Sequence, residues 1–313
     1  MKKLFGILGS YYREDFKWAS FILTALLATV LTFFAYRNHF YESYIESASP
    51  LSTQVIRYCG LYAIAFIGSF VLQGVAERDF RFLKSGNWWL LIALAIGLFA
   101  FRGSDFDFKS WMFGDGITDR STFQHKVAYN LGGFVTLMIP CFVYWFFADR
   151  TRQNFYGFKV KGVVLSPYFM MLAIMVPLLF WAGTQPDFLN TYPRYSKIGV
   201  DATAPDYARC VGIYELVYGS DFLVTEFFFR GFIILAFASR FGHKAILPMC
   251  AYYVTIHYGK PLGETISSFF GGLLLGVIAY RTRSIYGGVI VHLGIAYLME
   301  FFAFLGHAGY LHL

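Results

Sequence analysis

The chain has 313 residues, of which 57% are hydrophobic, 21% aromatic and only 14% charged, with a formal net charge of +7. A soluble domain carries about 25% charged residues, so 26 Lys and Arg with 19 Asp and Glu cannot cover a water-facing surface of this length. A soluble enzyme, a nucleic-acid-binding domain and a disordered chain are therefore excluded, and no nucleic-acid partner is expected. The Lys and Arg fall between apolar runs, where they orient membrane helices rather than bind polyanions.

A bilayer core of about 30 Å needs roughly 20 apolar residues in a helix. Apolar runs cover 18–36, 55–75, 87–101, 127–148, 163–183, 211–239, 245–259, 265–280 and 285–305. They predict an all-α polytopic membrane protein with about eight or nine transmembrane helices, its principal partner the lipid bilayer. The first run is read as a span and not a cleaved signal, because Tyr36-Arg37-Asn38 is a poor small-residue cleavage site. The third begins at Trp88-Trp89, an interfacial aromatic anchor. The run 211–239 is long for one span, and Gly219 suggests a break, with an interfacial helix before it and a span from about Ser220. Cys59, Cys141, Cys210 and Cys250 form no CxxC pair and read as small apolar fillers.

With nine spans and a cytoplasmic N-terminus, fifteen Lys and Arg fall on the inner side and ten on the outer, leaving Arg230 within the membrane. The positive-inside rule then places the chain in the plasma (inner) membrane with its N-terminus cytoplasmic. The outer loops 102–126 and 184–209 are rich in Asp, Gly, Pro and aromatic residues, and no internal repeat is present.

The first five runs hold no ionisable residue deep in their apolar length. The last third holds Asp221, Glu226, Arg230, His257, His292 and Glu300, with Glu215 near an interface. A charge at a helix centre costs about 2.5–3.5 kcal/mol on insertion scales, so such groups face a bundle interior or cavity and mark function by default. Counting from Arg240, Lys244 and Arg283 at a rise of about 1.5 Å per residue, Glu226 and His257 lie roughly 20 Å from the inner end. Arg230 and His292 lie roughly 15 Å from it. One narrow layer is compatible with one site. Glu226 and Arg230, at i and i+4, share a helix face and can pair. Glu226, His257 and His292 also match the three protein ligands of a catalytic zinc. A carboxylate and a His sharing one water without metal is the alternative, with Arg and His stabilising an oxyanion. A proton pathway would use the same residue types.

Thr225-Glu226-Phe227-Phe228-Phe229-Arg230-Gly231 resembles the Glu-Glu-x-x-x-Arg motif of the CPBP family. That family includes the type II CAAX prenyl endopeptidases and the bacterial bacteriocin-processing and immunity (Abi) proteins. Tyr253 to His257 is similar to its second motif, Phe-x-x-x-His. The stretch from Gly272 through Gly276 and Tyr280 to His292 resembles its third region, a Gly-rich helix, a basic turn and a helix carrying His-x-x-x-Asn/Asp. The resemblance covers roughly 211–305. It implies a CPBP-like protease core at 206–313 preceded by about five helices over 1–205. It also implies endopeptidase activity, with Glu226, Arg230, His257 and His292 as retained catalytic residues.

Two positions depart from the pattern. Thr225 stands where the family has the Glu that activates water with the second-motif His, and Ala296 stands where it has Asn or Asp. Asp221, one turn before Thr225, and Glu300, one turn beyond Ala296, are the carboxylates placed to compensate. The expected function is hydrolysis of a membrane-associated or exported peptide or protein. The rival expectations are a pseudoprotease that binds peptides or scaffolds a complex, and a proton-coupled transporter. Transport is disfavoured by the lack of repeats and of ionisable groups in the first helices.

Overall fold

The computed structural model describes residues 2–116, 118–160 and 163–311. It is 80% helix, and no strand occurs among the described residues. In chain order the α-helices are α1 (Lys2–Glu14), α2 (Trp18–Tyr36), α3 (Leu51–Glu77), α4 (Gly86–Gly103), α5 (Phe108–Phe113), α6 (Ser121–Gly133), α7 (Ile139–Tyr144), α8 (Ser166–Ala182), α9 (Pro186–Thr191), α10 (Tyr207–Glu226), α11 (Phe237–Phe241), α12 (Ile246–Thr255), α13 (Leu262–Thr282) and α14 (Tyr286–His307). Seven helical stretches are long and apolar enough to cross a membrane. The stretch Tyr207–Thr255 counts as one of them at 49 residues, but the chain reverses its winding at Gly242, φ +63, between α11 and α12. Ser166–Ala182 is a shorter apolar helix. Each expected apolar run carries helix, although 163–165 and 256–259 lie outside α8 and α12, and the all-α polytopic class stands.

One expectation is corrected. Gly219 does not break a helix, since α10 runs unbroken from Tyr207 to Glu226. It is a point of close approach: a Cβ there would collide with the Tyr297 hydroxyl and come within 3.2 Å of Leu293 on α14.

The chain divides into two compact units, neither contiguous in sequence. The first contains Met1–Phe106, Ile139–Val163 and Phe227–Gly288, and the second Asp107–Met138, Val164–Glu226 and Val289–Leu313. The boundary expected between 205 and 206 falls inside the second unit.

The first unit is built around two segments buried at every residue. One is α12; the other is Phe227–Ala236, a π-wound continuation of α10. A helix apolar all round belongs in the middle of a bundle. Rings fill the space: Phe66 lies 5.4 Å from both Phe237 and Tyr252, and Phe99 lies 5.1 Å from Phe229. Such pairs contribute about 0.5–1.5 kcal/mol beyond area burial. The few polar groups are matched. The Tyr252 hydroxyl donates to the Ala95 carbonyl at 3.0 Å, and the Thr24 and Ser69 hydroxyls bond at 3.0 Å between α2 and α3. Fully buried Asp149 accepts from Arg240 at 2.6 Å and from the Tyr156 hydroxyl at 2.8 Å. This clamps the turn after α7 onto the Phe227–Phe241 helix. The Tyr156 carbonyl then lies 2.6 Å from where a Cβ on Gly231 would sit, so only glycine fits there.

In the second unit α14 is the shared partner. Gly294 receives Leu172 of α8, Gly183 at the end of α8 meets the Phe302 backbone, and Gly219 receives Tyr297. Small residues let helix backbones approach where hydrocarbon offers no hydrophobic drive. Leu179, Phe188, Tyr192, Met299, Phe302 and Ala303 form the apolar core beside these crossings.

In the first unit α13 packs on α12 through Gly272 and Gly276. A Cβ on Gly276 would sit 2.9 Å from Met249 Cε and 3.0 Å from Ile234 Cδ1. Gly271 has nothing within 4 Å of its Cβ direction. Gly276→Leu is therefore expected to cost about 1–3 kcal/mol by overpacking, seen as a lower unfolding temperature in detergent. Gly271→Leu should leave that temperature unchanged, and equal effects would contradict this packing.

Candidate active site

The retained motif residues are presented in two groups, one in each unit. In the second unit α10 ends at Glu226, and α14 brings His292 alongside. Glu226 is fully buried, while the His292 side chain is 17% exposed. His292 Nδ1 lies 3.0 Å from Glu226 Oε1. A carboxylate accepts from an N–H, so this contact puts the proton on Nδ1 and makes Nε2 the basic nitrogen. Phe222, one turn before Glu226, sets its ring 4.7 Å from the imidazole in an edge-on arrangement. The Tyr297 hydroxyl donates to the Glu215 carbonyl at 2.9 Å and, with Gly219, holds α14 in register with α10 two turns from the pair.

In the first unit the π-wound segment carries Arg230, only 1% exposed. Its guanidinium carbon lies 4.0 Å from the centroid of the Tyr253 ring on α12. The same ring lies 4.7 Å from the imidazole of His257 and 5.0 Å from Phe229. His257 is 5% exposed, and its Nδ1 lies 2.9 Å from the Tyr253 carbonyl. A carbonyl only accepts, so here too Nδ1 carries the proton and Nε2 is basic. The backbone at His257 is pinned in turn. Its carbonyl accepts from the Thr265 hydroxyl at 2.7 Å. The Tyr36 hydroxyl, from α2, bonds Thr265 Oγ1 at 2.6 Å and donates to the Lys260 carbonyl at 2.5 Å. Gly272 leaves room for Tyr253, with a would-be Cβ 3.3 Å from the ring edge.

The other expected residues are distributed as follows. Thr225 and Asp221 are half-buried on α10, and Ala296 is buried on α14. Glu300 is 5% exposed, and its two oxygens accept from the Arg194 backbone N–H at 2.9 and 2.8 Å. The Tyr195 N–H adds a contact at 3.5 Å. Glu300 thereby caps the short 3₁₀ helix Arg194–Lys197, and the loop 184–209 is tied to α14 through it. Among the described residues no group of three or more His, Cys, Asp or Glu could hold a metal ion. Glu226 and His292 supply two donors, short of the three protein ligands of a catalytic zinc, and no step below passes through a metal.

Sequence reasoning did not assign roles to Tyr253, Tyr36, Thr265 or Phe222. Tyr253 had a signal, since it is the aromatic residue one turn before the second-motif His. Tyr36 had none, standing 221 positions before the residue whose carbonyl it approaches.

Glu226, Arg230 and His292 lie on helical stretches long and apolar enough to cross a membrane. Residues 216–298 match the family of type II CAAX prenyl endopeptidase Rce1-like proteins. That match is consistent with the resemblance of the same stretch to the CPBP motifs. No curated protein and no solved structure matches the chain.

The Tyr253 ring faces a guanidinium withdrawn from water, where a cation–π contact contributes about 2 kcal/mol or more. Tyr253→Phe should preserve thermal stability in detergent. Tyr253→Leu should lose about 2 kcal/mol, and Arg230→Met should abolish the difference between Phe and Leu. A Leu variant as stable as wild type would show the contact to be idle.

Proposed function

We propose that the protein is an intramembrane endopeptidase that cleaves a membrane-associated or exported peptide or protein. The observation that carries this is the 3.0 Å contact of Glu226 with His292, which joins the first and third motifs within spanning helices. Glu226 is the general base. The water oxygen adds to the scissile carbonyl carbon, and its proton passes to Glu226. The C–N bond then breaks, and that proton moves to the departing amine. His292, fixed through Nδ1, orients the Glu226 carboxylate and stabilises its charge. By the family resemblance Arg230 and His257 are the further retained catalytic residues, Arg230 a fixed positive charge of the kind that stabilises an oxyanion and His257 an imidazole with a basic Nε2. Thr225 cannot act as a base, so the role of the family's first Glu passes to its neighbour. Glu300 is already engaged in capping and serves structure. The Lys and Arg asymmetry orients the chain with its N-terminus cytoplasmic, and the plasma membrane is the membrane we propose for it.

A second reading rests on Thr225 and Ala296: a pseudoprotease that holds membrane peptides without cutting them. Cleavage of a membrane peptide by purified protein separates the two. General-base assistance is worth typically 10²–10⁴-fold. Glu226→Gln should lower kcat by that factor, and His257→Ala and His292→Ala should fall by at least tenfold. Asp221→Asn should retain cleavage, and Glu300→Gln should lower folding yield while active protein keeps its kcat. No cleavage by wild type, with gain only on Thr225→Glu plus Ala296→Asn, would establish the pseudoprotease. Equal cleavage by wild type and Glu226→Gln would remove Glu226 from the mechanism.

A further inference from the structure

A cavity of about 340 Å³ lies within the first unit, away from every motif residue named above. It opens where α3 ends and where α11 turns into α12. Three cations line it, Arg81, Arg240 and Lys244, against one carboxylate, Asp79. Phe70, Phe82 and Phe241 give it an apolar wall. Its volume is at the lower end of small-molecule sites, roughly 300–1,000 Å³.

The cations are held in place but not used up. Arg240 is 9% exposed in its side chain and spends Nη2 on Asp149 at 2.6 Å. Its Nη1 donates to the Ala236 carbonyl at 3.0 Å and to Ser239 Oγ at 2.9 Å. Its buried Nε has no hydrogen-bond partner. A buried donor left unmatched costs about 1–3 kcal/mol, which an oxyanion in the cavity would recover. Lys244 lies 2.9 Å from both Glu77 and Asp79. Arg81 is 89% exposed and reaches Asp79 with two nitrogens at 2.9 Å. Hydrogen bonds from Arg81 and then Lys244 hold Asp79 well below the usual carboxylate range, so it stays ionised. Asp79 thus occupies the position of an anion among the cations and competes with any second one.

We propose that this cavity binds the phosphodiester head group of an anionic phospholipid. Basic pockets between helix ends are where such head groups sit. The surroundings favour a lipid over free phosphate. Val71, Val75, Phe80 and Leu83, beside the lining residues in sequence, are 36–57% exposed and apolar. An acyl chain leaving the phenylalanine wall therefore passes onto lipid-facing surface.

The test uses full-length protein in nanodiscs of phosphatidylcholine with a minor fraction of phosphatidylglycerol, and native mass spectrometry of retained lipid after release. A parallel arm follows the unfolding temperature in the phosphatidylglycerol-containing nanodiscs and in pure phosphatidylcholine nanodiscs with added inorganic phosphate. Wild type should retain phosphatidylglycerol over phosphatidylcholine. Arg81→Gln and Lys244→Gln should each weaken retention about fivefold, the value of one basic residue at an anionic surface. Arg78→Gln removes an exposed cation from the same turn that does not line the cavity, and should change nothing. Asp79→Asn removes the competing carboxylate and should tighten retention. Because Arg81 is exposed, its variant tests binding apart from folding. Four results would overturn the site as a lipid site: no preference for phosphatidylglycerol, equal losses at Arg78 and Arg81, weaker retention by Asp79→Asn, or stabilisation by inorganic phosphate equal to that by the lipid.

Discussion

Charge withdrawn from water inside apolar helices must be matched by other protein groups, and most of this structure answers that demand. Glu226 and Arg230 are 0% and 1% exposed within a helical stretch that is otherwise nearly all Phe, Ile and Leu. Glu226 is met by an imidazole and Arg230 by an aromatic face. Asp149 and Arg240 meet the same demand at the end of the same stretch, with a direct ion pair and a tyrosine hydroxyl. Removing one partner of a buried ion pair such as Asp149–Arg240 leaves the other in a medium that cannot solvate it, at a cost of about 3–5 kcal/mol. The matched groups therefore fix helix positions as strongly as packing does.

Matching at hydrogen-bond distance requires helices to approach closely, and glycine supplies the approach. Gly219 brings α10 to α14 two turns from the Glu226–His292 contact, and Gly231 admits the Tyr156 backbone one residue from Arg230. Gly272 leaves space for the Tyr253 ring that carries both Arg230 and His257. The glycines around the motifs and the ionisable residues within them are two parts of one requirement. Each imidazole is further anchored through Nδ1, His257 to a backbone carbonyl and His292 to a carboxylate, so each has Nε2 as its basic nitrogen.

The departures from the family pattern read differently in this setting. Thr225 removes a carboxylate, yet the neighbouring Glu226 is held by His292. Ala296 is buried one turn beyond His292, where an amide would need partners of its own. Glu300, the nearest carboxylate further along α14, caps a loop helix through two backbone N–H groups. What remains at the first and third motifs is the buried Glu226 carboxylate in contact with an ordered imidazole.

Composition and period determined the class of this protein by themselves. Apolar runs of bilayer length have few alternatives to helix, because hydrocarbon satisfies no exposed backbone group. The order Glu226–Arg230, His257, His292 was legible because local spacing on helices sets which residues share a face. Tertiary structure decided what spacing cannot encode. Glu226 stands by His292 across 66 positions, Tyr36 pins the His257 turn from a helix at the other end of the chain, and Glu300 faces a loop instead of water. Gly219 looked like a helix break in sequence and is a contact in the fold. Glycine lowers helix propensity wherever it occurs, and only the neighbouring helix reveals whether its missing side chain is a weakness or a fit.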